Sequence, residues 1–319
     1  MSDYDVLVIG GGAAGLSAAM VLLRARRTVV VVDAGEPRNA PAAQMHGFLS
    51  RDGMSPRDLS AAGRSEVAGY GGVLIDDTVV GVEPGFRVRL ANGQQLSARR
   101  ILVATGLRDE LPDVPGVRER WGRDLLHCPY CHGYEVRDQP LGVLGGGPDA
   151  VQHAFLVRQW SADVTLFAHT ADVTPEQREQ LTARGISVVD GTVARLVVDN
   201  DRLHGVELAD GTVVPRSAVF VRPAFVPNSD MLTDLGCAVD ENGWAVHDST
   251  GRTTVAGVWV TGNAADPRAQ VITAAGQGSA AAIALNADLV DEDVRSAVRD
   301  LDHGFALAPT TNAHSKESA

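Results

Sequence analysis

The sequence predicts an α/β fold made of two Rossmann-like nucleotide-binding domains, the smaller inserted into the larger. Three observations predict it. A glycine-rich turn follows a short apolar run near the N-terminus, the same order of elements begins again at residue 141, and a two-stranded turn signal follows each copy. Strand, glycine turn, helix and strand make a βαβ unit, so each half offers a nucleotide-binding start.

The elements follow in order. Asp5 to Ile9 is the first apolar run, a helical pattern extends from Ala14 to Arg26, and Thr28 to Val32 is the next strand. Phe86 to Leu90 and Gln95 to Leu102 flank Asn92-Gly93, a strong hairpin signal. Pro112 and Pro115-Gly116 mark a first crossing between domains. Leu141 to Leu144 opens the second unit, followed by a helix from about Ala150 to Trp160 and a strand from Val164 to Phe167. Arg202 to Leu208 and Val213 to Val221 flank Asp210-Gly211, and a second crossing is expected near residues 245–252. The expected domains are therefore 1–114 with 250–307, and 115–249. Ala308 to Ala319 is polar and turn-rich and reads as a frayed tail.

Bulk properties narrow the function. The chain has 319 residues, 45% of them hydrophobic, enough for two domains with sizeable cores. Its 28 basic and 40 acidic residues give a net charge of −12, which argues against nucleic acid as a partner. No apolar segment approaches the length of a membrane span, and the acidic start Met1-Ser2-Asp3-Tyr4-Asp5 runs straight into a strand, so no signal peptide is expected. Three cysteines do not make a secreted disulfide framework. A cytoplasmic protein is expected, in which a Cys-x-x-Cys pair reads as redox or metal chemistry.

Three constellations carry chemistry. The first is Gly10-Gly11-Gly12-Ala13-Ala14-Gly15, a G-x-G-x-x-G between strand and helix. Gly10 permits the tight turn, Gly12 lets backbone approach a pyrophosphate, and Gly15 lets helix and strand pack closely. Asp33 follows at the end of the second strand, where an acid would hold a ribose hydroxyl. The second is Gly145-Gly146-Gly147-Pro148-Asp149-Ala150. Its glycine spacing is intact, and Pro148 suits an early helical turn. The corresponding ribose position falls on Ala168, followed by His169 and Thr170, with neither a carboxylate for NAD nor an arginine for NADP. This site reads as a structural remnant or weak binder, and His169 as an exposed turn residue.

The third is His127-Cys128-Pro129-Tyr130-Cys131-His132-Gly133-Tyr134-Glu135. Two cysteines separated by two residues can close a small disulfide ring, often with one thiol of lowered pKa. Zinc would need a second ligand pair, and only Cys237 remains, so no metal site is expected. His132 is placed to take a proton from an incoming thiol or return one to a leaving thiolate, although a packing histidine would look the same. His127 has less claim, and Cys237 reads as a small buried residue.

With these residues in place, the chain resembles the low-molecular-weight thioredoxin reductase family from Asp5 to about Val290. The matching pieces are the first glycine loop, Ala104-Thr105-Gly106, the second glycine loop with a Cys-x-x-Cys just before it, and Val255-Ala256-Gly257-Val258-Trp259-Val260-Thr261-Gly262-Asn263. The resemblance implies a two-domain homodimer that binds FAD with residues from both ends of the chain, in an FAD domain carrying an inserted NAD(P)-like domain. Thr105, Gly106, Gly262, Asn263, Gln270 and Val271 would contact the cofactor, Cys131 would lie against the flavin, and Cys128 would face the substrate. The family usually has Asp at Asn263 and Arg-Gln at Ala269-Gln270. It also has an acid at His132, a His-Arg-Arg run at Ala168-His169-Thr170, and a glycine-containing turn at Val221-Arg222-Pro223.

The cysteine motif, Asp33-Ala34-Gly35-Glu36-Pro37-Arg38-Asn39 and His46-Gly47-Phe48-Leu49 resemble a particular branch. That branch includes the dithiol oxidases that close the disulfides of gliotoxin, holomycin and romidepsin, and it adds Arg38, Asn39 and His46 to the expected cofactor contacts. It implies a small-molecule dithiol as substrate, oxidised through the Cys128–Cys131 pair with FAD, and with O2 as acceptor giving H2O2. Two other readings stay open. One is an NAD(P)H-dependent reductase that delivers electrons to a thioredoxin-like protein. The other is a flavin sensor whose cysteines report redox state without turnover.

Overall fold

The computed structural model describes residues 3–83, 85–147 and 149–306, with side-chain burial to residue 301. The expected tail from Ala308 and Pro148 lie outside the described residues.

β1 (Tyr4–Ile9), α1 (Ala13–Arg24) and β2 (Val29–Asp33) form the first βαβ unit, with β1 and β2 parallel. Val6 to Val8 and Val30 to Val31 are completely buried, as expected of parallel strands covered on both faces. α2 (Pro56–Gly69) starts at Ser55, whose side chain accepts the Asp58 N–H, and has proline at its first position, a favourable helix start. It leads to β3 (Val73–Asp76), β4 (Val79–Glu83), β5 (Arg87–Leu90) and β6 (Gln95–Val103). The sheet runs 3-2-1-6-5-4. β6 pairs antiparallel with β5 through Gln95, Leu96 and Ser97, then continues as the parallel neighbour of β1 through Val103.

β7 (Leu107–Glu110) leaves this sheet. Then come α3 (Val117–Arg120), β8 (Leu125–Leu126), α4 (Pro129–His132), β9 (Leu141–Leu144), α5 (Ala150–Val157), β10 (Val164–Phe167), α6 (Pro175–Ala183) and β11 (Ile186–Val189). A three-stranded antiparallel sheet follows, of β12 (Val193–Asp199), β13 (Arg202–Leu208) and β14 (Val213–Pro215), and then β15 (Ala218–Val221). The second parallel sheet has the order 11-10-9-15-8. The expected single run from Val213 to Val221 is thus two strands. Pro215 lacks a donor and closes β14, and the chain moves to another sheet, where β15 pairs with β9 and β8. The helix expected to reach Trp160 ends at Val157, and tight bonds from Gln159 and Trp160 N–H to Leu156 and Val157 carbonyls turn the chain.

β16 (Ala224–Pro227) pairs antiparallel with β7, so the outgoing and returning connections form one ribbon. The return therefore precedes the expected 245–252. α7 (Asp230–Asp234) and the residues after it pack on the first sheet, with Leu232, Cys237 and Ala245 in one cluster with Leu7, Ile101 and Val258. These scattered apolar residues cover a sheet face without any run long enough to register as an element. β17 (Val258–Val260) then adds beside β6 in parallel.

α8 (Val271–Ala306) closes the first domain. Ala281, Ala282, Leu285 and Leu289 bury against α1 and Trp259. Gly278 allows closest approach, since a Cβ there would lie 2.1 Å from the Ala14 carbonyl oxygen. Farther along, Arg27 bonds Asp293 at 2.7 Å, Arg99 bonds Glu292 at 2.9 Å and Arg100 bonds Asp288 at 2.7 Å. No helix among the described residues is long and apolar enough to cross a membrane.

Candidate active site at the redox disulfide

The first glycine turn is built as the spacing requires. Gly10 has φ +105°, and a Cβ there would meet the Ala104 carbonyl oxygen at 2.4 Å. A Cβ on Gly15 would sit 1.9 Å from the Gly10 carbonyl oxygen, whereas one on Gly12 would meet nothing within 4 Å. Two glycines close the turn and one faces open space, which suits a pyrophosphate at the start of α1. Asp33 accepts the Gly11 N–H at 3.0 Å and lies 3.5 Å from Arg64.

A cleft of about 830 Å³ runs from this turn to the cysteines. Its walls include Gly10, Gly12, Ala13, Ala14, Asp33, Arg38, Asn39, His46, Thr105, Gly106, Asn263, Gln270 and Val271, together with Cys128, Cys131 and His132. Two expected contacts lie behind the wall. Gly15 supports the turn, and Gly262 packs where a Cβ would strike the Ala14 Cβ at 2.7 Å. The cleft also brings in Arg57, Arg64 and Asp76, which sequence reasoning missed because no motif marks α2 or β3. Asn228 was missed as well. It donates to the Thr105 carbonyl at 2.9 Å, and its own carbonyl accepts from the Thr105 hydroxyl at 2.9 Å, so it fixes the loop after β6.

Several expected contacts have prior commitments. The Arg38 guanidinium grips Asp109 at 2.8 and 2.7 Å, donates to Asn263 Oδ1 at 3.3 Å and lies over the Phe225 ring. Asn263 Nδ2 donates to the carbonyls of Asp266 and Ala269 at 2.9 and 3.0 Å. Arg38 therefore shapes the wall through these partners instead of presenting a free charge. His46 stands between Asp52 at 3.3 Å and Glu135 at 3.5 Å, joining the loop of the first domain to the redox segment.

Cys128 and Cys131 form a disulfide with their Cα atoms 5.2 Å apart. Cys128 caps the short helix α4, and its carbonyl accepts the N–H groups of Cys131 and His132, both at 3.1 Å. Gly133 is needed behind them, since a Cβ there would lie 2.8 Å from the Trp160 ring and 2.6 Å from the Pro129 carbonyl oxygen. Gln270 Nε2 approaches Cys131 Sγ at 3.9 Å, and α8 begins at the next residue. The start of this long helix thus opens on the disulfide, where its partial positive charge favours an anion such as a thiolate. Burial lowers the pKa of His132, opposed by the nearby Glu135 and reinforced by His46. Its ring is therefore neutral at neutral pH and able to accept a proton.

The second glycine turn differs. Gly145 packs against the carbonyls of Phe167 and Ala168, so its fold is intact. Asp149 places a carboxylate at the N-terminal end of α5, paired with Arg222 at 3.4 Å. Ala168 is buried, and His169 is half-buried instead of exposed, with Nδ1 accepting the Val193 N–H at 3.0 Å. Cys237 is buried, with its pKa raised by burial.

Residues 4–278 match the family model described as pyridine nucleotide-disulphide oxidoreductase, and the chain belongs to that family. It is 30% identical to a thioredoxin reductase, sirT, of Leptosphaeria maculans over 92% of this chain and 96% of that one. Among solved structures it is similar to HlmI, at 60% identity and TM-score 0.92, covering 94% of this chain and 97% of that one. An oxidoreductase from Agrobacterium tumefaciens matches at 35% identity and TM-score 0.86, covering 91% and 99%. The protein is accordingly a thioredoxin reductase-like oxidoreductase and an FAD-binding flavoprotein. The open face at Gly12 and the continuous cleft from Asp33 to Cys131 fit a bound dinucleotide.

Proposed function

We propose that this protein oxidises a small-molecule dithiol to its intramolecular disulfide, with O2 as the final electron acceptor and H2O2 as the second product. The observation that carries the reading is the contrast between the two glycine turns. The first opens on a cleft containing the disulfide. The second has Asp149, paired with Arg222, at the start of its helix, and Ala168 offers no partner for a ribose. The resemblance to the dithiol oxidase branch, and the extensive likeness to HlmI, support the same reading.

Gly10, Gly12 and Ala13 would hold the cofactor's phosphates, Asp33 its ribose, and Thr105, Gly106, Asn263, Gln270 and Val271 its far end. FAD, when bound, supplies two-electron chemistry between the cysteine pair and O2. A substrate thiol gives its proton to His132, and the thiolate attacks Cys128 Sγ, breaking the bond to Cys131. The second substrate thiolate attacks the sulfur bonded to Cys128, so the product leaves as a closed disulfide and two protein thiols remain. Each cycle moves two electrons and two protons out of the substrate. Gln270 and the start of α8 favour thiolate at Cys131.

A homodimer is part of the reading. Ile283, Val290, Val294 and Leu301 are exposed along one face of α8, at spacings that return to the same side of a helix, and a second copy would cover them. A second functional reading, an NAD(P)H-dependent reductase of a thioredoxin-like protein, is favoured by the names of curated relatives such as sirT. Anaerobic titration of the yellow protein separates the two. NADPH and NADH are expected to leave the flavin band unchanged, dithiothreitol to bleach it and air to restore it. Prompt bleaching by either nucleotide overturns the oxidase reading.

A further inference from the structure

Two imidazoles behind the redox pair have no part in the chemistry above. His127 directly precedes Cys128, and its Nδ1 lies 3.2 Å from the Val221 carbonyl oxygen at the end of β15. His153 sits in the first turn of α5, with its Nε2 3.1 Å from the His127 carbonyl oxygen. A carbonyl only accepts, so both facing nitrogens carry protons and donate. His153 is 5% exposed, and its other nitrogen, Nδ1, is buried with no hydrogen-bond partner among the described residues.

A core histidine with one idle nitrogen is poor packing, because an apolar residue of similar size would avoid the unpaired acceptor. The pocket itself does not ask for a polar group, since the ring meets Phe220 edge-on and α5 otherwise presents Ala150, Val151, Ala154 and Val157 to an apolar cluster. What the imidazole adds is one bond, to the last carbonyl before Cys128. The Cys128 carbonyl is already taken by the N–H groups of Cys131 and His132. The chain is therefore pinned on both sides of the sulfur. Burial pushes the His153 pKa down to about 4, with His127 and Arg222 acting in the same direction, so the donor is retained throughout the neutral range.

We propose that His153 is a positioning residue for the redox loop, and that α5 now holds the Cys128 segment instead of serving a nucleotide. This rests on the reading that Cys128–Cys131 is the working pair. When the disulfide opens, only the backbone between residues 128 and 131 still ties the two sulfurs together, and that link leaves their separation free to change. A pinned backbone holds the Cα atoms near their 5.2 Å separation, inside the range a disulfide accepts. The brace therefore favours the closed form and shortens the search for reclosure. It changes the balance between disulfide and dithiol without taking part in bond making.

The test is equilibrium of the FAD-loaded protein with reduced and oxidised dithiothreitol under anaerobic conditions, scored by alkylation of the freed thiols. His153→Phe keeps the ring and loses the donor, whereas His153→Gln keeps an N–H at the reach of Nε2. The Phe variant is expected to shift the equilibrium about tenfold toward dithiol, which is about 30 mV for a two-electron couple. The Gln variant is expected to stay within about twofold of the parent, with equal FAD content in all three. If His153→Phe does not fold, His153→Met, which also lacks a donor, is read in its place. Equal values for the parent, the donor-free variant and Gln overturn the proposal, as does an equal shift in both variants. The oxidase reading fails instead on the nucleotide titration, a separate measurement.

Discussion

Replacing His132 by alanine separates a proton acceptor from a packing residue, because the two roles depend differently on pH. A thiol of ordinary pKa near 8.5 is only about 3% thiolate at pH 7, so a base that delivers full thiolate gains at most about 30-fold. At pH 9 most of the thiol is already ionised, and the possible gain falls below about twofold. Burial lowers the His132 pKa, with Glu135 opposing and His46 assisting. The neutral, accepting ring is therefore present above that lowered value and lost as pH falls through it. The advantage of the parent protein should extend from somewhat below pH 6.5 to about 8.5. The assay is anaerobic stopped-flow bleaching of the flavin band by a dithiol of ordinary pKa, from pH 6 to 9.5. His132→Ala should be slower at pH 7, by no more than about 30-fold, and nearly equal at the alkaline end. A ratio that stays constant across the range would refute the acceptor role and leave His132 as packing.

Three further outcomes are expected. Cys128→Ser and Cys131→Ser should each retain yellow FAD and lose multiple turnover of a dithiol, measured as peroxide released; continued turnover in either removes the exchange mechanism. Gly15→Ala places a Cβ 1.9 Å from the Gly10 carbonyl oxygen, so the turn must open. The purified variant should carry little FAD, and a normal flavin spectrum would contradict the geometry. His153 has its pKa depressed in the folded state, from 6.5 to about 4, so the unfolded chain binds the extra proton first as pH falls. Stability is lost between pH 6.5 and about 4, by roughly 3 kcal/mol in all from this group. Urea unfolding of the parent and His153→Gln at pH 7 and at pH 4.5 reads this directly. A gap between the two proteins that does not change with pH would show that His153 does not titrate in that window.

Much of the fold was legible because the strands of both βαβ units are uninterrupted apolar runs bounded by glycine. Leu141–Leu144 and Val164–Phe167 fall where the pattern places them. The return to the first domain was not legible. Leu232 and Ala245 reach the sheet from a loop-rich segment with no periodicity, so only the packing identifies them as core, whereas Cys237 between them was read as buried from its residue type. In the site, glycine spacing located the turn because close approach leaves a fixed residue pattern, as the contacts at Gly10 and Gly15 show. Arg64, Asn228 and His153 leave no such pattern. Each acts through a partner distant in sequence, Asp33, Thr105 and His127 respectively, and distance along the chain hides such pairs.

The arrangement of the cleft also bears on the size of the substrate. Several contacts hold the redox segment and the second domain against the first, among them the approach of Gln270 to Cys131. Arg38 lies over Phe225, Gly122 meets Pro41 so closely that a Cβ would be 2.7 Å away, and His46 faces Glu135. A protein partner would have to bring its own disulfide to cysteines that are only half-exposed on the wall of a groove. A small dithiol, the proposed substrate, would not need such a docking surface. The exposed rings of Tyr130, between the two cysteines, and Tyr134, just after them, would offer apolar surface to such a molecule. A reductase, by contrast, needs its nucleotide to deliver electrons to the same flavin, and here the second glycine turn carries Asp149, paired with Arg222, at the start of its helix. The two observations are independent, one steric and one electrostatic. Both favour the proposed direction, in which electrons enter at the cysteines and leave through the flavin.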